Sequence, residues 1–149
     1  MRRRCADCAY VHFNDPKVAA IAFIAQDGKL LLIRRSVDPE KGKWALPAGF
    51  VDYGEDPRQT AIRETREETG LDIEPHTLLD VNLTTGFHKV IAIVYAASVT
   101  GGILRAADDA DDARWFGPDE IPELAFEMTN RFVQEWIDEQ LSASGESAR

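Results

Sequence analysis

The order of apolar and polar residues along the chain predicts several short strands. Residues 18–24 are a continuous apolar run, which is typical of a strand that is buried on both faces. Asp27 and Gly28 predict a tight hairpin turn, and residues 29–33 form the partner strand. Further strands are predicted at residues 44–47, 71–83, 89–99 and 113–116, with Gly101 and Gly102 as a turn and His88 at a strand edge.

A helix is predicted near the end of the chain. Thr129 is a suitable N-cap for it. The apolar residues that recur at helical spacing on one side are Phe132, Val133, Trp136, Ile137 and Leu141.

An earlier helix is predicted between Asp56 and Gly70. Asp56 is a good N-cap, with Gln59 three residues later as in a capping box, and Pro57 fits the first helical position. Gly70 is suited to the left-handed residue that commonly ends a helix. Residues 49–54, just before this helix, contain two glycines and no helical period, so they are interpreted as a shaped loop.

The earlier helix carries three carboxylates on one face. Glu64, Glu67 and Glu68 stand at spacings i, i+3 and i+4, so their side chains lie about one turn apart. Like charges at these spacings repel each other, whereas a hard divalent cation with carboxylate ligands reverses the sign of the interaction. A magnesium site on the helix is therefore predicted. The alternative is a solvated acidic face on which Arg63 and Arg66 form ion pairs one turn away.

Residues 49–71, GFVDYGEDPRQTAIRETREETGL, carry a spaced motif. Five residues separate Gly49 from Glu55, and seven more lead to the run RETREETGL. This arrangement resembles the Nudix box, G-x5-E-x7-R-E-U-x-E-E-x-G-U, in which U is a bulky apolar residue. Thr65 at the first U position is the one departure, and it keeps a methyl group for packing. The flanking sequence is also similar to the Nudix family from residue 17 to about residue 126.

The resemblance implies a Nudix hydrolase that cleaves the pyrophosphate bond of a nucleoside diphosphate linked to another moiety. It implies Mg²⁺ as cofactor, with Mn²⁺ as a substitute. The metal ligands that it implies are the carbonyl of Gly49 and the carboxylates of Glu64, Glu67 and Glu68. Arg63 would orient a glutamate through a salt bridge, and Glu55 would be a further ligand or a support of the substrate site.

A general base is needed to remove the proton of the attacking water. Glu67 is the first candidate and Glu64 the second. Within the family, this role moves between positions.

The resemblance also implies an α+β fold, the Nudix α/β/α sandwich, in which a mixed β-sheet lies between helices. The expected organisation is an N-terminal segment with a Cys-x2-Cys pair at residues 1–16, one Nudix domain at 17–141 and a flexible polar tail at 142–149. A homodimer is expected from the resemblance alone.

Composition narrows the expected partners. The chain has 149 residues, of which 44% are apolar, so it can bury a single core. Its net charge of −9 argues against a nucleic-acid or membrane partner and leaves a small nucleotide, bound through metal and local arginines. The longest apolar run, residues 18–25, is too short to cross a membrane, and polar residues interrupt any signal-like stretch. A cytoplasmic protein is expected.

Two charged residues outside the box are candidates for the site. Related proteins often carry an acidic residue that reaches back to the metal from several positions before the tryptophan corresponding to Trp115, and Asp109 matches best by spacing. The alternative for Asp109 is a solvated acidic loop. Arg34 and Arg35 point to opposite faces of their strand, and Arg35 is the one expected to face a diphosphate.

Aromatic residues could bind the base. Phe50 and Trp44 are candidates for stacking, with core packing as the alternative. Phe126 is predicted either to close the substrate pocket or to pack beneath the last helix.

Cys5 and Cys8, followed by His12, resemble the second half of the zinc ribbon that some Nudix proteins carry at the N-terminus. A structural Zn²⁺ site needs four ligands, and the sequence has no other cysteine. Two free thiols are therefore expected in preference to a Zn²⁺ site.

The substrate is the least determined property. The lead-in LPAGFV, residues 46–51, resembles members that act on dinucleotide-type substrates such as ADP-ribose, NADH or FAD. ADP-ribose is the first expectation. The alternatives are a house-cleaning hydrolase of modified nucleoside triphosphates and a non-catalytic Nudix module that binds a nucleotide to regulate a partner.

Overall fold

A mixed sheet joins strands that lie far apart in the sequence. The computed structural model of the protein describes residues 2–85 and 89–146, so His88 and residues 147–149 lie outside the described part. The strands of this sheet, in spatial order, are β7 (Ala48–Phe50), β3 (Lys17–Phe23), β9 (Val90–Gly102) and β8 (Leu71–Leu83). β3 is parallel to β9, and the other pairs are antiparallel. The apolar run of β3 thus lies inside the sheet, as its sequence predicts.

A second sheet forms around one buried strand. β5 (Lys29–Arg35) is paired with β4 (Ala25–Gln26), β6 (Trp44–Ala45) and β10 (Ala110–Phe116). Asp27 and Gly28 both have positive φ, 52° and 71°, and join β4 to β5, so the predicted hairpin turn is confirmed. A separate hairpin at the N-terminus pairs β1 (Arg3–Arg4) with β2 (Val11–His12).

Two helices complete the layers. α1 (Pro57–Thr69) packs on the mixed sheet, where Ala61 lies against Ala20 and Tyr95. α2 (Glu127–Glu146) covers the main core, to which it contributes Phe132, Val133 and Trp136. The strand residues of that core are Ile21, Leu30, Leu32, Trp44, Ala92 and Val94. The two helices therefore pack against two sheets, one of which is mixed. This arrangement agrees with the predicted α/β/α sandwich.

The ends of α1 follow from local chemistry. Asp56 adopts an extended conformation, and its side chain accepts a hydrogen bond from the N–H of Arg58 at 2.8 Å. Pro57 occupies the first turn, and Gly70 ends the helix with φ 72°. A side chain at position 70 would also collide with the carbonyl oxygen of Ile103, which lies 2.5 Å from the place of a Cβ. The predicted helix boundaries are confirmed.

The structure corrects two local predictions. Gly101 and Gly102 do not form a turn, because they extend β9 and pair with Asp72 and Leu71 of β8. Thr129 is not an N-cap: α2 begins two residues earlier, the Thr129 side chain is buried, and the Phe126 carbonyl accepts the Asn130 N–H.

The far end of α2 also differs from its prediction. Leu141, expected on the buried side, is 57% exposed, and the helix continues to Glu146, past the predicted start of the tail.

Among the helices of residues 2–85 and 89–146, none is long and apolar enough to cross a bilayer.

Two threonines one turn apart on α1 differ in hydrogen bonding. Thr65 is fully buried, and within the described residues its hydroxyl has no hydrogen-bond partner. Thr69 is equally buried, but its hydroxyl donates to the Thr65 carbonyl at 2.5 Å and accepts the N–H of Leu71 at 3.2 Å.

Replacing these threonines by valine should have opposite effects on stability. Thr65→Val should raise the free energy of unfolding by about 1 kcal/mol, because it removes a buried hydroxyl without a partner and keeps the shape. Thr69→Val should lower it by about 1–3 kcal/mol, because the Leu71 N–H loses its acceptor. Urea unfolding measures both, and equal losses in the two variants would contradict the assignment.

Candidate active site

The guanidinium of Arg63 binds three glutamates. Its Nε and Nη2 donate to the two oxygens of Glu55 at 2.8 and 2.9 Å. Its Nη1 donates to Glu64 at 2.7 Å and to Glu67 at 3.3 Å. A bidentate pair with additional charge-assisted bonds holds the planar group in one orientation. The arginine thus reduces the repulsion among carboxylates on the same helix.

Glu55 is committed to Arg63 and to its own loop. The Thr60 hydroxyl donates to it at 2.7 Å and the Asp52 N–H at 3.2 Å. The hydrogen bonds from Arg63 and Thr60 lower the pKa of Glu55 to about 2. Of its two expected roles, the structure therefore favours support, because both oxygens already have donors.

Three carboxylates converge to form what we call the carboxylate cluster: Glu64, Glu67 and Asp108. One oxygen from each lies within 4.8 Å of the others, which is the spacing that a shared cation requires. The side chain of Glu64 is 14% exposed and that of Glu67 45% exposed. Burial raises the pKa of Glu64, although Arg63 opposes this.

Gly49 makes room for Glu64. A Cβ at position 49 would lie 1.9 Å from Cδ of Glu64, so the glutamate side chain passes directly against the backbone of β7. A larger residue at this position would force the Glu64 carboxylate to move from its present place. Its backbone consequently lies beside the carboxylate cluster.

Asp108 reaches the carboxylate cluster on a segment that follows β9. This strap, residues 103–109, hydrogen-bonds to the free carbonyls at the end of α1. The N–H of Arg105 donates to the Thr69 carbonyl at 2.8 Å, and that of Ala107 to the Glu68 carbonyl at 3.1 Å. Asp108 has φ 55°, a left-handed conformation that aspartate tolerates better than most residues.

The predicted acidic residue, Asp109, lies next to the one in the cluster. Its carbonyl accepts the N–H of Ser36 at 2.9 Å, which joins the strap to the end of β5. Sequence reasoning missed Asp108 because four aspartates lie within residues 108–112, and spacing alone does not show which one turns toward α1.

Glu68 lies on the inner side of the carboxylate cluster. It is 3% exposed, and one of its oxygens accepts the N–H of Ala48 at 3.1 Å. Burial raises the pKa of Glu68 to about 8, while the Ala48 hydrogen bond and the charge of Arg35 oppose the rise. A carboxylate this buried is stable as an anion only beside positive charge.

Arg35 and Phe126 stand together near Glu68. The guanidinium of Arg35 lies over the Phe126 ring, 4.9 Å from its centroid, and its Nε donates to the Pro39 carbonyl at 2.8 Å. Phe126 has φ 60°, and the residue as a whole is 39% exposed. Arg34, on the opposite face as predicted, is paired with Asp111 at 2.6 Å.

The two aromatic candidates for base stacking have different environments. Trp44 is buried and packs edge-on against Phe116, with ring centroids 4.8 Å apart, so core packing explains it. Phe50 is 49% exposed, with the ammonium of Lys17 over its ring at 4.6 Å, and its carbonyl accepts a hydrogen bond from Arg63. Phe50 is thus accessible, and its backbone contacts the arginine that binds the glutamates.

Comparison with known proteins identifies the family. A family model described as the NUDIX domain matches residues 14–137. The chain belongs to the Nudix family. An ADP-ribose pyrophosphatase from Methanocaldococcus jannaschii is 42% identical over 121 residues, which are 79% of this chain and 70% of that protein. The 8-oxo-dGDP phosphatase NUDT18 from Homo sapiens is 34% identical over 109 residues, which cover 70% of this chain and only 33% of the human protein.

Solved structures agree with this assignment. The crystal structure of a NUDIX hydrolase from Nitrosomonas europaea superposes with a TM-score of 0.83 and 29% sequence identity, covering 93% of this chain and 79% of that one. The predicted Nudix fold and the predicted class, a Nudix hydrolase, are confirmed.

The thiols of the Nudix chain lie in the N-terminal hairpin. Cys5 and Cys8 are exposed and free, and backbone hydrogen bonds from Cys8 and Asp7 lower the pKa of the Cys5 thiol. The ring of His12 is hydrogen-bonded to Asn14 through Nε2 at 3.0 Å. A Zn²⁺ site at Cys5 and Cys8 stays the untested alternative to the expected free thiols.

The ion pair of Arg63 with Glu55 should make stability depend on pH. The folded-state pKa of Glu55 is about 2 against 4.5, so its contribution is present above about pH 4.5 and lost as the pH falls towards 2. Glu55→Gln should remove about 1–3 kcal/mol near neutral pH. In this variant the free energy of unfolding should also decrease less steeply as the pH is lowered below about 5.

Urea unfolding at a series of pH values measures this effect. Glu139→Gln, at an exposed position of α2, is the matched control and should keep the acid dependence of the natural chain. An unchanged acid dependence in Glu55→Gln would show that the pair contributes nothing.

Enlarging Gly49 should disturb the carboxylate cluster. Gly49→Ala should weaken divalent-cation binding at least about tenfold, because the new methyl group displaces the Glu64 carboxylate. Gly101→Ala is the control, since a Cβ there meets only a side-chain oxygen of Asp72 at 3.5 Å. Calorimetric titration with Mg²⁺ compares the two, and equal affinities would contradict the proposed role of the glycine.

Proposed function

We propose that this Nudix hydrolase cleaves the pyrophosphate bond of a nucleoside diphosphate joined to another group, with ADP-ribose as the first candidate substrate. The observation that carries the proposal is the carboxylate cluster, held by Arg63 with its oxygens within 4.8 Å of one another. The relative named ADP-ribose pyrophosphatase supports the candidate substrate.

The donor set fits Mg²⁺, because Mg²⁺ takes oxygen ligands. Glu64, Glu67 and Asp108 would hold the ion, and Mn²⁺ would substitute. The carbonyl of Gly49 and the buried carboxylate of Glu68 are the further ligands that the Nudix resemblance implies. When bound, Mg²⁺ neutralises charge on the pyrophosphate and makes a water molecule more acidic.

Glu67 is our first candidate for the general base. A base must be reached by the attacking water, and the Glu67 side chain is 45% exposed whereas that of Glu64 is 14% exposed. Arg63 donates to Glu67 at 3.3 Å, which limits its orientations without enclosing it. Glu68 is less suited because it is 3% exposed and accepts the Ala48 N–H.

The nucleoside half of the substrate is proposed to bind beside Arg35 and Phe126. The guanidinium can donate to phosphate oxygens, and the exposed part of the Phe126 ring can stack on a base or pack on a ribose. Phe50, which is 49% exposed and whose carbonyl bonds to Arg63, is proposed as a second contact for the substrate.

A second candidate function is the removal of modified nucleotides. The relative named 8-oxo-dGDP phosphatase favours it, since it is 34% identical over 70% of this chain. The non-catalytic module has less support, because every acidic residue of the box is retained. Cytoplasmic location, a homodimer and the absence of a nucleic-acid partner stay predictions.

Hydrolysis should depend on the carboxylate cluster. Assayed with Mg²⁺ against ADP-ribose, NADH, FAD and 8-oxo-dGTP, the natural chain should release a nucleoside monophosphate from at least one of them. Glu67→Gln and Glu68→Gln should each lower kcat by about 10²–10⁴-fold, and a chelator should abolish turnover.

Circular dichroism and thermal melting establish that the variants fold. Glu139→Gln, which removes the same charge from α2, should retain full activity. Tight binding of these nucleotides without turnover would overturn the enzyme proposal in favour of the regulatory module.

A further inference from the structure

A groove of about 530 Å³ opens beside the carboxylate cluster at the C-terminal end of α1. Its volume lies within the range of small-molecule sites. Glu67 of the carboxylate cluster lines it, and so does Ala107, the residue before Asp108. A molecule held at the carboxylate cluster could therefore extend directly into this groove.

Two arginines line the groove, Arg66 on α1 and Arg105 on the strap. Arg66 is paired with Asp72 at 3.2 Å and is 70% exposed. Arg105 is held through its backbone, whose N–H bonds to the Thr69 carbonyl at 2.8 Å, while its side chain is exposed. The strap thus fixes where the Arg105 side chain starts and leaves its guanidinium available.

Arg105 lacks the partners that the other arginines of the domain have. Within the described part of residues 17–141, seven other arginines have a carboxylate, a backbone carbonyl or an aromatic ring against the guanidinium. They are Arg34, Arg35, Arg58, Arg63, Arg66, Arg114 and Arg131. Arg105 has none of these there, although the net charge of the chain is −9. A cation that the protein's own acids do not neutralise is available to an anion from solution.

The groove and the Arg35 side lie on different flanks of the carboxylate cluster. Successive residues of a helix turn by about 100°, so Glu68, Glu64, Glu67 and Arg66 follow one another around α1 in that order. The charge of Arg35 acts on Glu68, at one end of this order, and the groove lies at Glu67 and Arg66, at the other. A substrate that crosses the carboxylate cluster would present one half to each flank.

We propose that the groove lined by Arg66, Ile103, Arg105 and Ala107 binds a phosphate group that lies beyond the scissile pyrophosphate. The inference rests on the proposed function and narrows it: the preferred substrate is a nucleoside diphosphate whose second half carries its own phosphate. Arg105 donates to the phosphate oxygens, and the exposed side chain of Ile103 packs against the attached sugar.

A pair of substrates that differ by one phosphate tests this. With ADP-ribose and ADP-ribose phosphorylated on its terminal ribose, the natural chain should show about tenfold higher kcat/KM for the phosphorylated form, mainly through KM. Arg105→Gln should abolish the preference and change kcat/KM for ADP-ribose less than about twofold. Arg58→Gln, on the other side of α1, should retain the preference, and a preference equally retained in Arg105→Gln would overturn the proposal.

Direct binding separates this inference from the proposed activity. In Mg²⁺ buffer, calorimetry should show ribose 1,5-bisphosphate binding about tenfold more tightly than ribose 5-phosphate, with the difference lost in Arg105→Gln and retained in Arg58→Gln. Equal affinities for the two anions in the natural chain would overturn the groove assignment. A retained preference for the bisphosphate, with no turnover of any nucleotide, would support the groove and refute the hydrolase proposal.

Discussion

The carboxylates of α1 can be crowded together because one guanidinium lies among them. Glu64 and Glu67 are one turn apart on the same helix, and like charges at that spacing repel. Arg63 bonds to both and is oriented by its bidentate pair with Glu55. The same pair lowers the pKa of Glu55 to about 2, so Glu55 stays ionised at neutral pH. This internal counter-ion holds Glu64 and Glu67 close together, with oxygens within 4.8 Å of each other and of Asp108.

Backbone constraints bring the remaining parts to the same place. Gly49 leaves the space that the Glu64 carboxylate fills, and Gly70 allows the strap to pass against the end of α1. The strap in turn satisfies the free carbonyls of the helix through Arg105 and Ala107, which places Asp108 beside the glutamates. The strap therefore does two things. It donates hydrogen bonds to the end of α1, and it carries the third carboxylate of the carboxylate cluster.

Charge is distributed unevenly around the carboxylate cluster, and this has consequences for substrate choice. The Glu68 flank carries Arg35 against an aromatic ring, which suits a phosphate next to a nucleoside. The Glu67 flank carries Arg66 and Arg105 in a groove of about 530 Å³, and Arg105 has no carboxylate partner among the described residues. An acidic chain that binds an anionic substrate must concentrate its available cations where the substrate lies.

Local signals in the sequence were sufficient to predict α1 with its caps, the hairpin at Asp27 and Gly28, and the motif of glycine, arginine and glutamates. Capping, turn chemistry and motif spacing all involve residues that lie close together in the chain. Thr129 looks like an N-cap in sequence, yet packing buries it inside α2, and pairing with β8 turns Gly101 and Gly102 into strand residues. The place of Asp108 in the carboxylate cluster, the burial of Glu68 and the meeting of Arg35 with Phe126 were decided by tertiary structure alone. Each depends on segments distant in sequence that come into contact only when the sheets and helices pack.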